Sequence, residues 1–326
     1  MNVTEDDLDR IFRAVRPNRT HNGLDAKRIA LREDIIRGTH TTPRTSKRPR
    51  FVWAGLTAGI ASVAVAAFVA ASVLAPGHQA SALTPPKLHY SSAPALADVI
   101  ETARQTLASS AGPRQMSHVE SVSWGWSVEI EESRIESVPQ AITFDWAPGE
   151  PASATILAGD SYWSGDDRPP GVRPSPYQPG DLIDEIETSA ADLTLPGPLM
   201  DLADADAGSL EAALEVFGID DDPTSGELLA AIDGVMQYWT LSNAQQSHLL
   251  DLLAATGDVR VRGATTDRVG REVIGLEVSS PVPERTSTLF VSADSGRLVG
   301  IETELSRPFE DLPAGVISYT MWDADL

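Results

Sequence analysis

The feature that most constrains this chain is residues 51–75, FVWAGLTAGIASVAVAAFVAASVLA, where no charge, proline or side-chain amide interrupts the apolar run. As a helix it would be roughly 37 Å long, more than the ~30 Å hydrocarbon core of a bilayer. A single transmembrane helix is expected. It divides the chain into a leader (1–50) too short and polar to form a core, a Pro- and Ser-containing stalk (76–94), and a block (95–326) long enough to bury a sizeable core as one domain or two closely packed subdomains.

Charge gives the span a direction. The net charge of −22 conceals a leader with twelve Lys and Arg against seven acids, followed by a remainder with thirteen against forty. Arg44, Lys47, Arg48 and Arg50 abut the span, whereas its far side shows no basic residue before Lys87. The positive-inside rule therefore places the N-terminus in the cytoplasm and the acidic block outside, in a cell membrane protein of single-pass topology. The basic flank suits anionic lipid of the bilayer, and the acidic exterior argues against nucleic acid as a ligand. A secretory signal cleaved near Ala82, at Ala80-Ser81-Ala82, is the competing reading; it needs n- and h-regions far longer than such signals have. The absence of cysteine excludes disulfides, zinc thiolates, thiol catalysis and acylation at Cys.

In the leader, Thr4 and Asp7 have capping-box spacing, and Leu8, Ile11, Phe12 and Val15 follow at i, i+3, i+4 and i+7 until Pro17. A second helical run over 24–37 ends at Gly38. Two short amphipathic helices with no core of their own point to a cytoplasmic partner or the membrane surface, with Leu8, Ile11, Phe12 and Val15 as the partner face; a frayed basic tail that only sets topology is the plainer alternative. Within the span, Gly55 and Gly59 form a GxxxG, a candidate homodimer contact.

Beyond the span, an apolar stripe of Leu96, Val99, Ile100, Ala103 and Leu107 predicts a helix over 95–109. Between 116 and 132, Val122, Trp124, Trp126, Val128 and Ile130 alternate with Ser, Gly and Glu, the period of a long strand with one face on a core. Ile142, Phe144 and Trp146 repeat the pattern, and 154–158 supply a third short strand. Residues 166–181, with five prolines, read as a loop. Helices are expected over 209–217, 224–239 and 242–256, the last two opened by the capping pairs Thr224/Glu227 and Ser242/Gln245. Alternating apolar residues from Val259 to Trp322, with turns at 267–271 and 294–296, return the chain to strands. The expected fold is α+β: a curved antiparallel, half-barrel-like sheet with covering helices and a helical insertion over about 199–256.

No catalytic constellation emerges. HExxH, GxSxG and a glycine-rich phosphate loop are absent, and no two of the six histidines share a helix at i, i+4. Glu129, Glu131 and Glu132 read as a solvated strand face, and Asp204-x-Asp206 lacks the sixth-position glycine of a calcium loop. His118 reads as a structural histidine at the rim of the core. No enzyme activity, metal or cofactor is expected. The remaining signal is aromatic: Trp124, Trp126, Trp146, Val128 and Phe144 either fill a core or line an apolar groove for a lipid or acyl chain.

Several stretches resemble a known family. The leader segment Asp7-Leu8-Asp9-Arg10 with residues 26–36, the basic-flanked span, and the C-terminal signature of 253–259 (LAATGDV), 267–271 (DRVGR), 289–291 (LFV) and 294–300 (DSGRLVG) are similar to actinobacterial single-pass membrane proteins often encoded beside extracytoplasmic-function sigma factors. The exported part resembles in plan the half-barrel of lipoprotein carriers and of the sigma-E regulatory sensor. That resemblance implies ligand or partner binding outside and a sigma factor or other regulator as the partner inside. The cysteine-free leader departs from zinc-binding anti-sigma domains. The expectation is thus a membrane-anchored extracytoplasmic sensor or binding protein; the alternative is an exported envelope module that binds proteins without signalling.

Overall fold

The structure is a computed structural model that describes residues 84–125, 135–163, 168, 172–193, 195–202, 207–220, 222–280, 284–308 and 314–323. The leader residues Leu8, Ile11, Phe12 and Val15, the span with Gly55 and Gly59, and Trp126 and Val128 lie outside the described residues. Among those described, no helix is long and apolar enough to cross a membrane.

Helix α1 (Leu96–Ser109) buries Val99, Ile100, Ala103 and Leu107, as its stripe requires. Strands β1 (His118–Gly125), β2 (Gln140–Asp145), β3 (Ala152–Ala158) and β4 (Leu182–Thr188) form one antiparallel meander. Helices α2 (Gly197–Met200), α3 (Ala207–Glu215), α4 (Ser225–Met236) and α5 (Asn243–Ala255) follow, and β5 (Arg260–Thr266), β6 (Glu272–Val278), β7 (Arg285–Ser292), β8 (Leu298–Leu305) and β9 (Gly315–Trp322) form a second meander. Pairing of β1 with β9 joins the two into one nine-stranded sheet of order β4-β3-β2-β1-β9-β8-β7-β6-β5.

This order explains where the helices lie. Strands β4 and β5 are opposite edges of the sheet, so the chain between them has to traverse its whole width. The connection carries its apolar residues on helices: Leu228, Ile232, Val235 and Met236 of α4 and Leu249, Leu250 and Leu253 of α5 are buried with Leu276, Leu289 and Trp322 of the sheet in one core. Both expected capping boxes are present, Thr224 with Glu227 and Ser242 with Gln245. Register shifts in the β3–β4, β5–β6, β7–β8 and β8–β9 pairs bend the sheet.

Strand β4 departs from the sequence expectation, which had no element there. Its sequence, LIDEIET, sets three acids, which strands disfavour, among two isoleucines and a threonine, and it is held as an edge strand by pairing with β3.

The two turns of the C-terminal signature are clamps. Arg271 binds Asp267 Oδ2 (2.8 Å) and the carbonyl oxygens of Trp322 (2.7 Å) and Val299 (2.8 Å). Arg297 binds Asp323 Oδ2 (2.9 Å) and Leu241 O (2.8 Å). Together they fasten the end of β9 to the β5–β6 turn and to the start of α5.

Candidate functional site

On the face of the sheet away from the helices, Gly300, Glu302 and Glu304 alternate along β8, and Tyr319 and Met321 along β9. Direct pairing puts Trp124 beside Tyr319 and Val122 beside Met321. A small second core forms here from Trp124, Val273, Phe290, Val299, Val316, Tyr319 and Met321. It encloses an ion pair. The Glu302 side chain is 0% exposed and takes a 2.6 Å bond from Arg268 Nε. The Arg268 guanidinium lies 5.7 Å from the centre of the Tyr319 ring, and Trp124 stacks on that ring at 6.2 Å. Tyr162 meets Trp124 edge-on and hydrogen-bonds the Tyr319 hydroxyl. Burial raises the Glu302 carboxyl above its ordinary value against the opposing pull of Arg268, and burial pushes the Tyr319 hydroxyl up to about 12.

Across this face runs the first part of the described chain. Residues 84–92 are a strap laid over the sheet. Thr84 lies against Gly315, Lys87 pairs with Glu304 at 3.3 Å, Leu88 and Tyr90 pack on the second core, and Ser91 N donates to Ala264 O at 2.9 Å. Arg262 secures it from below, bonding Glu304 Oε1 and Thr288 Oγ1 at 2.8 Å each and stacking its guanidinium 4.2 Å from the Tyr90 ring centre. Glycine is required where the strap crosses: a Cβ on Gly275 would stand 2.7 Å from Tyr90 Cε1, and one on Gly263 would stand 2.2 Å from Ser91 O. Each carboxylate is answered by a cation, Glu302 by Arg268 and Glu304 by Arg262 and Lys87, so the network acts as a clip. Residues 84–92, expected within the stalk of 76–94, pack on the domain.

The structure separates the aromatic residues that the sequence groups together. Trp124 is 3% exposed in the second core, whereas Phe144 (3%) and Trp146 (4%) belong to the helix-bearing core on the opposite face. The reason is register: Val119 pairs with Phe144, so odd-numbered residues of β1 share a face with even-numbered residues of β2. Trp146 is fully engaged, donating to Tyr238 O at 2.7 Å and meeting Trp239 edge-on at 4.9 Å. The expected groove lined by Trp124, Phe144 and Trp146 is therefore corrected to two packed cores. His118 is a surface residue whose Nδ1 lies 2.7 Å from Asp145 Oδ1, a hydrogen bond that raises its pKa. No group of three or more His, Asp or Glu among the described residues is placed to hold a metal ion.

Sequence reasoning missed Tyr90, Arg262, Arg268, Glu302 and Glu304. The one available signal was Glu302 and Glu304 recurring at period two in an otherwise apolar strand, which marks a face carrying charge without naming its partners.

No protein-family model matches the chain, and neither does any curated protein. Among solved structures it is similar to MucB in complex with MucA(peri), at 10% identity and a TM-score of 0.26 over 70% of this chain and 54% of that one. It is similar also to a putative outer membrane lipoprotein-sorting protein domain from Vibrio parahaemolyticus (7%, TM-score 0.21, 70% and 92%) and to a LolA superfamily protein from Nitrosomonas europaea (12%, TM-score 0.18, 71% and 92%). The chain spans about half the length of MucB. At these scores the likenesses do not bear on what the chain binds.

Proposed function

We propose that this protein is a membrane-anchored extracytoplasmic sensor or binding protein: residues 1–50 engage a cytoplasmic partner such as a sigma factor, residues 51–75 cross the bilayer, and the sheet domain reads a ligand or partner outside. The observation that carries this reading is the strap. The chain that follows the apolar run is clipped over five strands, from Gly315 on β9 to Ala264 on β5, by Lys87, Tyr90 and Ser91. A change in the domain that loosens the clip therefore reaches the residues nearest the span. The competing reading, a scaffold that binds proteins through an uncharged sheet edge, is disfavoured because the β4 edge carries Asp184, Glu185 and Glu187.

The test combines topology and coupling. Reporter fusions before residue 50 and after residue 323 should be active on opposite sides of the membrane, and residues 1–50 should recover a regulator from the native host. Gly275→Val, which displaces Tyr90, should speed chymotryptic cleavage within 84–92 and change that regulator's output. Recovery of no partner, with wild-type transcription in a deletion strain, rules out signalling; faster cleavage with unaltered output reduces the strap to a tether.

A further inference from the structure

The chain has five tyrosines and no cysteine, and two of the tyrosines meet hydroxyl to hydroxyl. Tyr162 follows β3 and Tyr319 lies on β9; 157 residues apart in sequence, they share a hydrogen bond. Tyr90 and Tyr238 are engaged differently, the first stacked with Arg262 and the second edge-on to Phe144. Two tryptophans flank the pair. Trp124 stacks on Tyr319 with ring centres 6.2 Å apart and meets Tyr162 edge-on at 6.3 Å, and Trp163 meets Tyr162 edge-on at 6.0 Å.

Two observations set this cluster apart from ordinary core packing. First, it runs from the interior to the surface: Trp124 and Tyr319 are 3% and 2% exposed, whereas Tyr162 and Trp163 are half-buried and reach solvent. Ser161 fixes Trp163 there, its Oγ accepting from Trp163 N at 3.0 Å, and Glu136 holds Ser161 in turn. An electron taken from Trp163 is replaced from the phenols behind it, so the oxidant has no need to enter the core. Second, a base faces the pair. Glu302 pairs directly with Tyr319, and its Oε1 has no hydrogen-bond partner. Burial keeps both phenols protonated well above their ordinary range, so an electron leaves either ring together with its proton, and Glu302 stands beside them to accept it.

We propose that Tyr162 and Tyr319 form an oxidative cross-linking site, joined as dityrosine by a one-electron oxidant of the kind a haem peroxidase makes from hydrogen peroxide. Each phenol gives up one electron and its hydroxyl proton. The two phenoxyl radicals couple at ring carbons ortho to the facing hydroxyls and form one carbon–carbon bond. The hydrogen on each of those carbons then moves to the ring's oxygen and restores aromaticity. The two electrons and two protons released reduce one hydrogen peroxide to two waters. The bond ties the segment after β3 to β9, and in a chain without cysteine it is the staple that a disulfide would otherwise supply. The site goes beyond the sensor reading and does not rest on it, since it needs only the sheet domain.

The test treats the full chain in nanodiscs, as an equal mixture of unlabelled and nitrogen-15 protein, with a haem peroxidase and hydrogen peroxide. Peptide mass spectrometry should find Tyr162 joined to Tyr319 with the loss of two hydrogens, both halves carrying the same isotope, alongside dityrosine fluorescence. Tyr162→Phe and Tyr319→Phe should each abolish that product, and Trp163→Phe should slow its formation. Circular dichroism verifies that the variants are folded; if Tyr319→Phe does not fold, Tyr162→Phe carries the comparison. Because the bond closes a loop of 157 residues, the linked protein should melt about 10–20 °C higher. The proposal is overturned by no Tyr162–Tyr319 product, by Tyr90, Tyr177 or Tyr238 coupling as fast, or by products that join two chains in its place. An unchanged rate in Trp163→Phe overturns the relay, and an unchanged melting temperature overturns the staple.

Discussion

Asp233 sits in the last turn of α4 among Ile232, Gly234, Val235 and Met236, all buried, and is itself 5% exposed. Among the described residues its carboxylate takes one hydrogen bond, a long one of 3.4 Å from Gln237 Nε2 to Oδ2, and its Oδ1 has no partner. Burial pushes the carboxyl up from 3.8 to about 7. A folded state that holds its proton more tightly than the unfolded chain is favoured at low pH. Asp233's contribution is fully present below about pH 4 and is lost as pH rises to about 7. Moving the protonation midpoint that far corresponds to ~4 kcal/mol, an upper figure. Asp233→Asn keeps the shape, removes the charge and supplies an N–H for the unpartnered Gln237 Oε1. The variant should match wild type near pH 4 and exceed it at pH 8, with the melting-temperature difference widening by roughly 8–16 °C for a domain of this size. Glu227 and Asp258 titrate with the opposite sign: bonds from Thr224 hold Glu227 below the usual range, and against its burial those from Thr256, Ser225 and Ser279 do the same for Asp258. Both are common to the two proteins, so they cancel in the difference. Melts of wild type and variant at four pH values provide the assay; a difference independent of pH refutes the assignment of a buried, titrating Asp233.

Glu302→Ala leaves the Arg268 guanidinium buried without its anion and should cost about 3–5 kcal/mol in denaturant titration, most of it recovered in Arg268→Met/Glu302→Leu. Trp146→Phe removes the bond to Tyr238 O and the contact with Trp239 and should cost about 1–3 kcal/mol; a residue lining an open groove would cost nothing measurable. NMR should find the His118 imidazole titrating above 6.5, and Asp145→Asn should bring it down.

How much of this was legible in the sequence follows the range of the interactions. Helix α1 and the two capping boxes were readable because their determinants lie within four residues of one another. The C-terminal strands were readable from alternation and from turns at Asp267 and Asp294. Strand β4 was not, because Asp184, Glu185 and Glu187 offset the strand preference of its two isoleucines and threonine, and its pairing with β3 decides the matter. The candidate site failed for a sharper reason. Alternation states that Trp124 and Phe144 each point to one side of a strand, but only the pairing of Val119 with Phe144 states that these are different sides. The strap was hidden in the same way: Lys87, Tyr90 and Ser91 look like linker until Gly263 and Gly275, some 170 to 190 residues later, are brought beneath them.

That distance gives the strap its mechanical meaning. Its contacts with β9, β8, β7, β6 and β5 all close loops of well over one hundred residues, so they depend on the second meander being in place. Each clip contributes little alone: the Lys87–Glu304 pair is half solvent-exposed, with Lys87 at 58%. The Tyr90–Arg262 stack is worth about 0.5–2 kcal/mol. A segment held by a few such contacts opens locally at far less cost than unfolding the domain beneath it. A change that shifted β7, β8 and β9 against one another would act directly on Glu304 and Thr288, the two acceptors that hold Arg262 beneath Tyr90.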